Sequence, residues 1–208
     1  MKPLVVVNFK TYKEATGANA LKLAKICSRF KNVIICVQPS DICISKKIKI
    51  PVFAQHVDLV DYGQFTGFIL PENVKADGAR GTLLNHSEHR LKFDVLKKLV
   101  QRCKKIKLKT IVCAKTADEA GRLSRLKPDF IAIEPPELIG GKISVSTAKP
   151  ELISDAVKKS IVPVLCGAGV HTGEDVKIAL KLGAKGVLVA SGVVKARNPA
   201  NVLKELAL

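Results

Sequence analysis

Tryptophan is absent from the 208 residues, and aromatic side chains make up only 4% of them. Surfaces that bind nucleic acid through stacked bases interleave aromatic rings with clustered cations. No nucleic-acid partner is therefore expected, although Lys and Arg outnumber Asp and Glu by 35 to 18, for a net charge of +17. The lysines are spread along the chain, and the densest groupings, Lys46 to Lys49 and Lys97 to Lys109, lie in amphipathic or strand-edge patterns. The excess reads as a solvated basic surface that can steer a small anion. No apolar run approaches the roughly 20 residues that cross a bilayer as a helix, and no leader-like segment is read, so no membrane partner is expected. Cys27, Cys36, Cys43, Cys103, Cys113 and Cys166 form no CxxC pair and keep no metal-ligand spacing with the four histidines. Free thiols in a reduced, cytoplasmic setting are expected. A Gly-rich dinucleotide fingerprint is also missing after the first apolar run, where Asn8-Phe9-Lys10-Thr11 stands instead. Neither a nicotinamide cofactor nor a metal is expected.

What is present is a rhythm. Short apolar runs rich in β-branched residues recur at Leu4–Val7, Val33–Val37, Pro51–Ala54, Gly78–Leu83, Thr110–Cys113, Phe130–Ile133, Val162–Cys166 and Gly186–Val189. Such runs suit strands covered on both faces of a parallel sheet. Stretches with helical spacing lie between most of them: Ala18–Phe30, Ser87–Lys104, Thr116–Leu126, Pro150–Lys159, Thr172–Leu182 and Pro199–Leu206. Asn85 with Glu88 three residues on reads as an N-terminal cap, and Thr172 with Asp175 reads as another, with Gly183 closing that helix. The segments after the second and third strands give only one turn or an irregular loop. Strands alternating with helices, without a linker or composition break, predict one domain over residues 1–208, an α/β chain folded as a closed, parallel, eight-stranded (β/α)8 barrel.

Catalytic groups of such barrels sit at the carboxyl ends of the strands. The polar residues there are Asn8 and Lys10 after the first strand, Asn85 and His86 after the fourth, and Glu134 after the sixth. Small-residue turns, Gly167-Ala168-Gly169 and Ala190-Ser191-Gly192, follow the seventh and eighth. Backbone N–H groups approach an anion only where side chains are small, and helix N-termini add positive character, so these two turns suit a phosphate. Glu134, which ends an apolar strand ahead of Pro135-Pro136, is placed for base chemistry. Each residue also has a plainer reading: Lys10 as a surface lysine, His86 as a capping or packing residue, Glu134 as the ion-pair partner of a lysine.

Taken together and in order, Asn8-Phe9-Lys10, Asn85-His86-Ser87-Glu88 and Ala132-Ile133-Glu134-Pro135 resemble the three signature segments of the triosephosphate isomerase family. Gln64-Phe65-Thr66-Gly67 resembles the family's third loop, Leu165 to Val170 its seventh-strand turn, and Pro135 to Gly140 the mobile loop of its short-chain archaeal members. The resemblance implies a TIM barrel, no cofactor, and interconversion of D-glyceraldehyde 3-phosphate and dihydroxyacetone phosphate in glycolysis and gluconeogenesis. It implies Glu134 as the base, His86 as the neutral electrophile and Lys10 as the charge against enediolate and phosphate. Asn8 positions substrate in this reading, Glu88 organises Lys10, and backbone around Ile139, Gly140, Gly169, Ala190 and Ser191 holds phosphate. The family's Gly-Gly-Ser after the seventh strand is Gly167-Ala168-Gly169 here, and its Gly-Gly after the eighth is Ala190-Ser191, so the donors are backbone. Members are homo-oligomers whose third loop, Thr66 included, reaches a neighbour's site. The contracted segments Arg122–Lys127 and Lys158–Pro163 favour a dimer over a tetramer.

Overall fold

The computed structural model describes residues 2–135 and 145–207. Strands β1 (Leu4–Asn8), β2 (Val33–Val37), β3 (Val52–Ala54), β4 (Gly81–Leu84), β5 (Lys109–Ala114), β6 (Phe130–Ile133), β7 (Val164–Cys166) and β8 (Gly186–Val189) pair in parallel in chain order. The barrel closes where β8 returns to β1, with Val6 opposite Leu188 on one side and Ile34 on the other. The helices are α1 (Ala18–Cys27), α2 (Pro71–Ala76), α3 (Phe93–Lys105), α4 (Ala117–Ser124), α5 (Val145–Ala148), α6 (Pro150–Lys159), α7 (Gly173–Lys181), α8 (Ser191–Val194) and α9 (Pro199–Leu206). Three-ten turns at Lys13–Ala15 and Pro39–Lys47 complete the connections.

The strands are mostly apolar because both faces are covered. Val5 and Val7 of β1 pack outward with the helices, whereas Val6 joins Cys36, Phe53, Leu83, Ile111 and Leu188 inside the barrel. This period of two decides what reaches the mouth. In β1 the inward series runs Leu4, Val6, Asn8; in β6 it runs Phe130, Ala132, Glu134. The polar residue thus emerges on the parity of the lumen, one step above its apolar filling. Lumen packing is tight: a Cβ on Gly81 would stand 2.4 Å from the Phe53 ring.

Several boundaries differ from those read in the sequence. The fourth strand begins at Gly81, not Gly78, because Gly78 closes α2 at φ +106. The seventh begins at Val164, two residues late. Helix α3 begins at Phe93, six residues after the expected Ser87, and Asn85 and Glu88 do not cap it. By contrast, Thr172 and Asp175 do form a reciprocal capping box on α7, and Gly183 follows that helix at φ +97.

The buried thiols make a pH prediction. Burial pushes Cys27 and Cys103 from 9.0 up to about 12, and pushes Cys36 and Cys113 up as well. The folded chain then keeps protons that the unfolded chain releases above the ordinary thiol range. That contribution is whole below pH 9 and is lost as pH rises through the folded values. Urea midpoints measured from about pH 8 to about pH 11 are expected to fall steadily. Thiol reagents are expected to label exposed Cys43 well ahead of the five buried cysteines.

Candidate active site

The mouth of the barrel holds one pocket lined by Asn8, Lys10, His86, Glu134, Gly169, Ala190 and Ser191, among others. The strand-end residues singled out in the sequence therefore converge. Glu88 stands at the edge, in an adjoining cavity, and reaches back to Lys10. Thr66 is exposed and lies outside the pocket of its own chain. Ile139 and Gly140, with the rest of the expected mobile loop beyond Pro135, lie outside the described residues.

Lys10 follows β1 in a left-handed conformation, φ 47, which a side chain other than glycine or asparagine adopts at a cost. Both of its backbone polar groups are held. Its N–H donates to Asn8 Oδ1 at 3.0 Å, and its carbonyl accepts from Gln55 Nε2 at 3.0 Å. Gln55 also donates to the carbonyl of Cys36 at 3.2 Å, tying β2 to the Lys10 turn. The ammonium, 14% exposed, donates to Glu88 Oε1 at 2.7 Å. That contact aims a long, flexible side chain across the mouth.

His86 is fixed by its chain neighbours. Asn85, itself at φ 59, donates from Nδ2 to the carbonyl of Cys113 at 2.9 Å and accepts at Oδ1 from the N–H of Leu91 at 3.0 Å. These bonds hold residues 85 to 91 as a loop against β5, which is why α3 starts late. The N–H of Glu88 donates to His86 Nδ1 at 3.2 Å. A backbone N–H can only donate, so Nδ1 carries the lone pair and the ring is the neutral tautomer with its proton on Nε2. Glu88 Oε2 stands 3.6 Å from the same Nδ1, too long for a hydrogen bond that would reverse this assignment.

The Nε2 proton faces Glu134, whose Oε1 is 3.4 Å away. Glu134 is 2% exposed, and its backbone N–H donates to Ala114 at 2.8 Å. Its Oε2 is buried without a hydrogen-bond partner among the described residues. An orphaned buried carboxylate oxygen is costly, and here it lies in the pocket. Below it, burial and then the charge of Glu134 push the Cys113 thiol upward, so that side chain stays protonated. Gly167 makes the carboxylate's position possible, since a Cβ there would stand 2.6 Å from Glu134 Cγ and 3.0 Å from the Ile133 carbonyl. Gly167→Ala is expected to lower kcat/KM about 100-fold by displacing the carboxylate, with a near-normal unfolding midpoint. Steady-state kinetics beside urea titration checks it.

On the opposite wall, the N–H groups of Gly169, Ser191 and Gly192 have no acceptor among the described residues. They are suited to hold an anion.

Gln55 was not singled out in the sequence. Its signal was available: it follows β3 with inward parity, as Asn8 follows the apolar part of β1.

A barrel mouth that joins a buried carboxylate to a neutral imidazole, an ammonium and open backbone donors is the site of an enzyme that moves protons on a small anion. The family model described as triosephosphate isomerase matches residues 3–206. Proteins named triosephosphate isomerase are similar over nearly the whole chain. That of Methanothermus fervidus is 46% identical, covering 99% of this chain and 97% of its own length. That of Methanocaldococcus jannaschii is 45% identical, covering 98% of each. That of Saccharolobus solfataricus is 46% identical, covering 98% of this chain and 94% of its own. The chain belongs to the triosephosphate isomerase family.

Proposed function

We propose that Glu134, His86 and Lys10 carry out the family's reaction in this chain, the interconversion of D-glyceraldehyde 3-phosphate and dihydroxyacetone phosphate. The observation that carries this reading is the buried Glu134 carboxylate, with Oε2 unpartnered among the described residues and Oε1 3.4 Å from His86 Nε2.

Glu134 takes a proton from the carbon beside the carbonyl, leaving an enediolate, and returns it to the neighbouring carbon. His86 hydrogen-bonds the carbonyl oxygen through Nε2–H as negative charge develops there, and moves a proton between the two substrate oxygens. Lys10 balances that charge, and Asn8 keeps Lys10 in place while lining the pocket. Protons and electrons balance without a redox partner. The phosphate is received by the backbone at Gly169, Ala190 and Ser191.

The active form in this reading is a homodimer. Tyr62, Phe65 and Phe68 are 76%, 45% and 56% exposed on the loop that carries Thr66. That much apolar surface suits a contact. Arg102 braces the loop's root, with hydrogen bonds to both oxygens of Glu72 and to Asp61. Beside Lys10, a cavity lined by Gln55, His56, Glu88 and His89 can take a neighbour's loop. The brevity of α4, eight residues, favours two subunits over four. Sedimentation equilibrium showing twice the chain mass supports this, and a tetramer overturns it. Six free cysteines fit the cytoplasm.

A coupled assay of the purified chain tests the activity. Either triose phosphate is expected to convert to the other without added metal. Absence of turnover in both directions would overturn the reading.

A further inference from the structure

Part of the net charge of +17 gathers in space although it is spread in sequence. At the amino ends of the strands, opposite the mouth, lies a cavity of about 830 Å³. Lys46 and Lys49 enter it from the β2–β3 connection, Lys75 and Arg80 from either side of the α2–β4 turn, and Lys107 and Lys109 from the α3–β5 junction. Among the described residues, no carboxylate lines it. Its apolar base includes Leu4, Ile34 and Phe130 from the bottom of the lumen.

Cations elsewhere in the chain meet carboxylates, as in Lys10 with Glu88, Arg90 with Glu119, Arg102 with Glu72 and Lys159 with Asp118. In the cavity, Lys75 donates to the carbonyls of Ile106 and Lys107. The other five have no ion-pair partner among the described residues. The basic belt continues into an adjoining cavity with Lys104 and Lys127, where Asp129 already accepts from the N–H of Thr110 at 2.9 Å. Lys107 and Lys127 stand at φ 57 and 58, just past α3 and α4. Glycine fills such left-handed positions with less strain; lysine at both adds charge to this one face. Like charges gathered without counter-charge repel one another, and a bound polyanion reverses the sign of that energy. The volume is that of a site for a nucleotide-sized molecule, and the apolar base of Leu4, Ile34 and Phe130 offers no donors to the phosphate backbone of a duplex.

We propose that the amino-terminal floor of the barrel is a second binding site, for a chain of condensed phosphates such as a nucleoside triphosphate or inorganic tripolyphosphate carries. The phosphates would lie among Lys46, Lys49, Arg80, Lys107 and Lys109, and a base, where present, on the apolar floor.

Calorimetric titration of the whole chain with ATP and, separately, with sodium tripolyphosphate, both without metal, tests this. One molecule is expected to bind per chain, with affinity falling as salt rises. The triple variant Lys46→Glu, Lys49→Glu, Arg80→Glu is expected to weaken binding about tenfold or more, and the same three changed to Gln by less. Isomerase kcat/KM is expected to stay at the wild-type value in both, and saturating dihydroxyacetone phosphate to leave ATP bound. Tighter binding of ATP than of tripolyphosphate places the base on the apolar floor; equal binding assigns the site to the phosphates alone. Unchanged affinity in the Glu variant, or displacement by the triose phosphate, would overturn the proposal. So would a mixed-sequence DNA duplex that binds more tightly than either and resists both.

Discussion

Glu134→Asp is expected to lower kcat/KM by about 100- to 10,000-fold, the range of a positioned general base, without unfolding the barrel. The substitution keeps the charge and the proton affinity of a carboxylate but withdraws it by one methylene. Nothing in the wall can follow it, because the backbone at Glu134 is pinned to Ala114 and Gly167 to Ile133. The base would stand short of the substrate carbon, and a misplacement of this kind acts on kcat more than on KM. Glu134→Gln, which keeps length and removes the base, is expected to lose at least as much. Steady-state kinetics of both variants, beside circular dichroism and urea unfolding, checks the claim. A Glu134→Asp enzyme within threefold of wild type would exclude this carboxylate as the base.

The second large effect is Lys10→Met. Methionine keeps most of the side-chain volume and removes the charge, so the turn held by Asn8 and Gln55 is expected to persist. Loss of one preorganised electrostatic contact to a developing oxyanion costs about 100- to 1,000-fold. Lys10 is also proposed to face the substrate's phosphate, so KM is expected to rise while kcat falls. The change leaves Glu88 without its 2.7 Å partner, yet that carboxylate is well exposed and water can serve it, so stability is expected to change little. Adding back an alkylammonium ion is expected to restore part of the rate. A variant that lost KM alone would reduce Lys10 to a binding residue.

Much of this was legible in the sequence because barrel strands are apolar on both faces, so a polar residue at the end of such a run stands out. Asn8, Lys10, His86 and Glu134 all announced themselves that way, and all line the mouth. The start of α3 was not legible. Leu91, Val95, Leu99 and Cys103 keep helical spacing, and periodicity cannot show that Asn85 holds the N–H of Leu91. The cap pattern at Asn85 and Glu88 was real chemistry with other partners, Cys113 and Lys10. Gly78 misled for a similar reason: its run with Ala79 is apolar, but its φ of +106 turns the chain out of α2 before β4 begins. The basic floor was hidden by contact order. Lys46, Arg80 and Lys109 are far apart in the chain, and only closure of the barrel places them around one cavity.

The measurement that reaches the central claim most directly is exchange with solvent deuterium during turnover. Dihydroxyacetone phosphate incubated with the wild-type chain in deuterated water is expected to acquire deuterium at the carbon that yields its proton to Glu134, as seen by proton NMR, at a rate comparable to interconversion. Glu134→Gln is expected to lose exchange and interconversion together. Exchange or interconversion that persisted near the wild-type rate in Glu134→Gln would contradict proton transfer through this carboxylate.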